Sequence, residues 1–70
     1  MVNRRIIQNT IEYIEDNLKA EITMEELSEM SGFSLYYYCR LFHGIVGMSV
    51  NQYILRRKLL HAIYEISIGN

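Results

Sequence analysis

The sequence contains no proline and only one cysteine. A lone thiol closes no disulfide within the chain, so the redox signature is that of an intracellular protein or part of one. With proline absent and half of the residues hydrophobic, a disordered segment is excluded and a compact, mostly helical unit fits. Long apolar runs are missing too. None approaches the roughly 20 residues that span a bilayer. The N-terminal MVNRRIIQNTIEYIEDN starts basic but soon carries acids, in place of the apolar run and cleavage site of a secretory signal. The expected location is cytoplasmic, with no membrane partner. No nucleophile–base–orienter set, phosphate loop or metal-ligand cluster stands out. An enzyme is not expected, and no cofactor or metal is.

Seventy residues make one domain at most, one that buries roughly 60% of its unfolded surface and has a small core. The net charge of −1 conceals an asymmetry. Residues 1–30 hold Arg4, Arg5 and Lys19 against Glu12, Glu15, Asp16, Glu21, Glu25, Glu26 and Glu29, a balance of −4. Residues 31–70 hold Arg40, Arg56, Arg57 and Lys58 against Glu65, a balance of +3. A partner responds to local potential more than to the total.

Helix-start signals recur along the chain. Asn3 is positioned to cap a first helix, with Val2 and Ile7 as a hydrophobic staple. Ile7, Ile11, Ile14 and Leu18 then form one apolar stripe. Thr23 opens TMEE, a capping box with Glu26, and Ile22 and Leu27 are its staple. Leu27 and Met30 make the inner face of this short helix, and Gly32 fits its C-cap. Ser34 caps a third helix, with Phe33 stapling to Tyr38. Ser49 opens SVNQ, a second capping box, stapled by Met48 and Tyr53, after Gly47 in the loop. The inward set expected for the fourth helix is Tyr53, Ile54, the Arg57 stem, Leu60 or Leu59, Ile63 and Ile66. The β-branched residues repeat at helical rather than alternating spacing, so no strand is expected. Helices are expected over about 4–18, 24–31, 35–45 and 50–67. Two short helices joined by a glycine-bearing turn, with a longer helix on each side, are the elements of a helix-turn-helix. A generic helical bundle would use the same caps, and periodicity alone leaves both open. The expected core is Ile11, Ile14, Leu18, Leu27, Phe33, Tyr38, Leu41, Phe42, Tyr53 and Ile54.

The stretch SGFSLYYYCRLFHG at 31–44 separates into faces. Tyr38, Leu41 and Phe42 fall on one side of a helix; Tyr36, Cys39, Arg40 and His43 fall on another. Arginine suits bidentate contact with guanine, and a tyrosine can meet a phosphate or a thymine methyl. Each residue also has a plain alternative: Arg40 as an ordinary surface arginine, Tyr36 and Tyr37 as half-buried rings, Cys39 as a small packing residue. Cys39 and His43, four apart, could share an ion, but structural zinc takes four ligands and two more are not apparent. Arg56 and Lys58 are candidates for phosphate contact, as are Asn51, Gln52 and the amides that open the fourth helix. Arg57 is expected near the core or paired with an acid. Arg4 and Arg5 form a cationic patch whose orientation the sequence leaves open.

The segments IEYIEDNL at 11–18, ITMEELSEMSGFS at 22–34, the spacing to Arg40, Leu41 and Phe42, then Gly47, Ser49 and QYILRRKL at 52–59 closely resemble the first helix-turn-helix half of the AraC/XylS family of bacterial transcriptional regulators. The resemblance runs from about Ile7 to Ile66. It implies an all-α, homeodomain-like fold with a long C-terminal connecting helix, residues 1–70 being a single N-terminal helix-turn-helix subdomain. It also implies sequence-specific binding of double-stranded DNA in transcription regulation, with residues 35–43 in the major groove. Base contacts would fall to Tyr36, Cys39 and Arg40, and phosphate contacts to Ser34, Tyr37, His43, Arg56 and Lys58. Cys39 stands where a polar residue is usual, Tyr38 replaces a common leucine, and His43 and Gly44 occupy positions commonly lysine or similarly polar. Ile45, Val46 and Met48 are more apolar than a solvated loop needs, which suggests a missing neighbour. The implied partners are a second helix-turn-helix unit and an effector-binding domain C-terminal to this chain, which would then be a fragment of a longer regulator. A homodimer is left open. The competing expectation is a protein-interaction or dimerisation module derived from a helix-turn-helix, with little DNA binding of its own.

Overall fold

The computed structural model describes residues 2–68. Four helices follow in order: α1 (Val2–Asp16), α2 (Met24–Ser31), α3 (Leu35–Val46) and α4 (Val50–Ile68). Among the described residues there is no strand. The Val2 side chain, expected to staple against Ile7, lies outside the described residues, as do Gly69 and Asn70.

The boundaries follow the local chemistry closely, with one exception. Thr23 Oγ1 accepts from the Glu26 amide at 3.2 Å while Glu26 Oε1 accepts from the Thr23 amide at 2.9 Å, a reciprocal capping box. Ser49 and Gln52 repeat it at the start of α4. Ser34 Oγ accepts from the Tyr37 amide. Gly32 (φ 79°) and Gly47 (φ 92°) close α2 and α3 in the left-handed region, where a side chain would be strained. The exception is Asn3. It lies inside α1 rather than capping it, because the helix already begins at Val2. α1 also ends two residues before Leu18. Its last turn unwinds through Asn17, whose side-chain amide donates to the Tyr13 carbonyl at 2.7 Å.

Ile7, Ile14, Leu18, Leu27, Tyr38, Phe42, Val50 and Ile54 form the buried core. Ile11, Phe33, Leu41 and Tyr53, expected inside, remain partly exposed and pack against it. Ile45 and Val46 do the same, so they lie on this chain's own core instead of awaiting a neighbour. Met30 points outward, 47% exposed. Within this apolar interior runs a polar chain. The Tyr38 hydroxyl donates to Thr10 Oγ1 at 2.9 Å, and the Thr10 hydroxyl donates to the Ile7 carbonyl at 2.8 Å. Both side chains are fully buried, so each polar group needs the partner it has.

α4 departs most from the expected packing. Only Val50 and Ile54 of this helix are buried. Leu59, Leu60, Ile63 and Ile66, expected to face inward, are exposed. The helix is about 28 Å long at 1.5 Å per residue, and its C-terminal half extends past the bundle. The overall extents are 42 × 21 × 18 Å, and the radius of gyration is 12.9 Å where about 11 Å is usual for this length.

Polar contacts tie α4 back to α1. Arg57 grips Glu15 with two bonds, Nε to Oε2 and Nη2 to Oε1, each 2.8 Å, and the Tyr53 hydroxyl adds a third at 2.8 Å. The bidentate guanidinium holds the Glu15 carboxyl below its ordinary range. Burial, then the Glu15 carboxylate, pushes the Tyr53 hydroxyl up to about 12. Lys58 Nζ donates to the carbonyls of Leu18 and Ala20 just beyond α1.

Candidate nucleic-acid interface

α2 and α3 pack together across the Gly32 turn. The turn is fixed from inside by Ser31, a buried residue with no sequence signal for this role. Its hydroxyl donates to the Ser28 carbonyl at 2.6 Å and accepts from the Phe33 amide at 3.1 Å. The Gly32 amide completes the C-cap on the Ser28 and Glu29 carbonyls. α3 is thereby held with Tyr38 and Phe42 against the core and its opposite face free.

That free face holds the three residues expected to read bases. Tyr36, Cys39 and Arg40 line one shallow depression together with His43 and Gly44. Tyr36 is 72% exposed. Arg40 Nη1 donates to the Tyr36 hydroxyl at 3.2 Å, and the guanidinium carbon sits 5.6 Å from the centre of the Tyr36 ring. The two side chains, one helical turn apart, form a single outward unit. Cys39 is partly buried at the inner edge of the depression, contacting the core cluster. Tyr37 leans edge-on against Phe33, with centroids 4.9 Å apart and planes at 80°, and is itself exposed. Ser34 sits at the head of α3, its oxygen engaged as a cap.

The residues expected to contact phosphate are not all brought together. His43 joins the α3 depression. Arg56 lines a separate one with Met48, Gln52, Leu55 and Leu59. Lys58 donates to the two carbonyls past α1, a clamp between helices. Gln52 is likewise used in its capping box. Among the described residues, no group of three or more His, Cys, Asp and Glu side chains is placed to hold a metal ion. No described helix is long and apolar enough to cross a membrane.

Comparison with known proteins agrees with this geometry. The family model described as bacterial regulatory helix-turn-helix proteins, AraC family, matches residues 14–55, which include α2, α3 and the turn between them. The multiple antibiotic resistance protein MarA of Escherichia coli K12 is 34% identical over 64 residues, 91% of this chain and 50% of MarA. The HTH-type transcriptional regulator YbfP of Bacillus subtilis is 39% identical over 62 residues, 89% of this chain and 21% of YbfP. The regulatory protein SoxS of Salmonella typhimurium is 30% identical over 66 residues, 94% of this chain and 62% of SoxS. The chain therefore spans about half the length of MarA, and less than two thirds of the other two. No solved structure matches. The chain belongs to the AraC family of bacterial regulatory helix-turn-helix proteins.

Proposed function

We propose that this chain binds double-stranded DNA sequence-specifically by laying residues 35–43 of α3 in the major groove. The observation that carries the reading is the free face of α3, where Tyr36, Cys39 and Arg40 share one depression and Arg40 and Tyr36 are both exposed. Arg40 presents its guanidinium to guanine O6 and N7. Tyr36 braces it and offers ring surface to a thymine methyl. Cys39, at the inner edge, adds an apolar contact where the groove floor comes closest. Ser34, Tyr37 and His43 supply phosphate contacts that set register without reading sequence. The Ser34 oxygen accepts its capping bond and keeps its O–H to donate outward. Arg56 contributes from α4. The cell compartment is the cytoplasm, and the role is recognition without catalysis.

A single module of this kind buries roughly 600–1,000 Å² on DNA, so one copy binds weakly. The second reading of the surface concerns α4. Leu55, Leu59, Ile63 and Tyr64 are all exposed, which is costly for an isolated unit. A second helix-turn-helix unit of a longer regulator, covering this face, would supply both the missing burial and a second groove contact; an effector-binding domain would add control. Self-association through the same face is the competing arrangement.

The test is selection of this protein on a random-sequence duplex pool, followed by anisotropy titrations over a salt series. The expected result is a converged motif and an affinity that falls log-linearly with salt. A pool that stays random after repeated selection refutes sequence reading. Sedimentation equilibrium distinguishes the α4 arrangements: a concentration-dependent dimer abolished by Leu59→Glu favours self-association.

A further inference from the structure

The N-terminal end of α1 carries a feature that the reading above does not use. Arg4 and Arg5 are exposed and, among the described residues, neither has an ion-pair or hydrogen-bond partner. They line a shallow groove with Gln8, above a floor made by Ile7, Ile11 and Ile45. Ile45 belongs to α3. It directly follows His43 and Gly44, which line the depression holding Tyr36 and Arg40. The C-terminal part of α3 thus contributes to both depressions, Ile45 to one and His43 and Gly44 to the other.

Helix stability does not account for these arginines. Cations at a helix N-terminus oppose the macrodipole, and acids at the C-terminus do the same. α1 has both, with Arg4 and Arg5 at its start, Glu15 and Asp16 at its end, and no acid in its first turn. At the far end Glu15 holds Arg57 and Tyr53, and Lys58 offsets the nearby carbonyls. The arginines at the near end have no such partner among the described residues. Charge along α1 is thus separated so that its positive end lies beside the end of α3 and its negative end lies away from it.

We propose that Arg4 and Arg5 form a second DNA-contact site, specific for backbone phosphates, flanking the C-terminal end of α3. The proposal rests on α3 being the groove-reading helix. With α3 in a major groove, the sugar–phosphate strand bordering the groove passes the end of the helix. The groove on α1 offers that strand two guanidinium forks for phosphate oxygens and an apolar floor for the sugar. An acidic segment of a partner protein would fit the same chemistry. DNA is favoured because α3 itself, through Ile45, helps line the groove, so a strand bordering α3 passes beside both arginines.

The experiment is the double substitution Arg4→Gln and Arg5→Gln, titrated with a mixed-sequence 30-base-pair duplex over a salt series. Glutamine matches arginine closely in helix propensity, and neither arginine has a partner to lose. An unchanged melting temperature verifies the fold. Each phosphate contact contributes about 0.9 to the slope of log affinity against log salt, so the slope should become shallower by about 1.8. Affinity at 0.1 M salt should fall by about one to two orders of magnitude. The motif recovered from a random pool should not change. Arg4→Lys with Arg5→Lys should keep the slope. Ethylation interference on the selected motif should show two phosphates whose ethylation blocks the unaltered protein but not the glutamine variant. An unchanged slope, while Arg40→Ala still alters the motif, overturns the proposal and leaves the α3 reading standing; the groove then belongs to an acidic protein segment. Absence of DNA binding by the unaltered protein overturns both.

Discussion

Replacing Thr10 with valine tests the packing of α3 on α1, which sets the outward direction of the reading face. Valine matches threonine in shape, so no cavity opens. What it removes is, among the described residues, the acceptor of the Tyr38 hydroxyl, 2.9 Å away, at a site where both side chains are at most 1% exposed. A buried hydroxyl left without a partner costs about 1–3 kcal/mol. Tyr38→Phe removes the donor instead. Thr10 then still donates to the Ile7 carbonyl, so that change should cost only about 0.5–1.5 kcal/mol, the net worth of one ordinary bond. Removing both groups leaves no orphan. The double variant should therefore be less destabilised than the sum of the single ones by about 1–2 kcal/mol. For a domain of this size 1 kcal/mol moves the midpoint by about 4–8 °C, so thermal and urea unfolding followed by circular dichroism will resolve the cycle. Additive single effects, or a Thr10→Val variant as stable as the parent, would refute the buried polar chain.

The Glu15 cluster gives stability a definite pH dependence. The Glu15 pKa is lowered, chiefly by Arg57, so its contribution is fully present above the ordinary value of 4.5 and is lost as pH falls through the folded value. Glu15→Gln should flatten the acid limb of the stability profile, and identical limbs would contradict the assignment. The Tyr53 hydroxyl, raised to about 12, works in the opposite direction: its contribution is present below 10 and disappears between 10 and 12, so Tyr53→Phe should remove an alkaline transition in that window. Thr23→Ala should cost about 1 kcal/mol, because it unmakes the capping box at the start of α2; the measurement is the shift in urea midpoint at constant slope.

The sequence made the helix boundaries legible because caps are local. Thr23 with Glu26, Ser34, and Ser49 with Gln52 act within four residues, and Gly32 and Gly47 stop helices by their own backbone freedom. Asn3 is the exception, since a capping residue type marks a boundary only where the helix begins there. The outward position of Tyr36 and Arg40 followed from the same short-range periodicity, once Tyr38 and Phe42 were assigned to the core. Contacts between distant residues were the hidden part. Nothing near Thr10 marks it as the partner of a tyrosine 28 positions away. Helical direction set Arg57 apart as inward or acid-paired, and it meets Glu15, but nothing in RRK separates Arg56 from Lys58, which is drawn onto the carbonyls beyond α1. The apolar residues of α4 mislead for a related reason. A run of leucine and isoleucine at helical spacing states that a surface needs covering, but it does not state that this chain supplies the cover.

The central claim is that α3 reads DNA through Arg40, and parallel selection of the unaltered protein and Arg40→Ala on one random-sequence duplex pool tests it most directly. The account expects a guanine in the converged motif whose preference is lost in the variant, equivalent to about 1–3 kcal/mol of discrimination at that position, with the salt dependence of binding to a mixed-sequence duplex retained. The same motif recovered with and without the Arg40 guanidinium would contradict it.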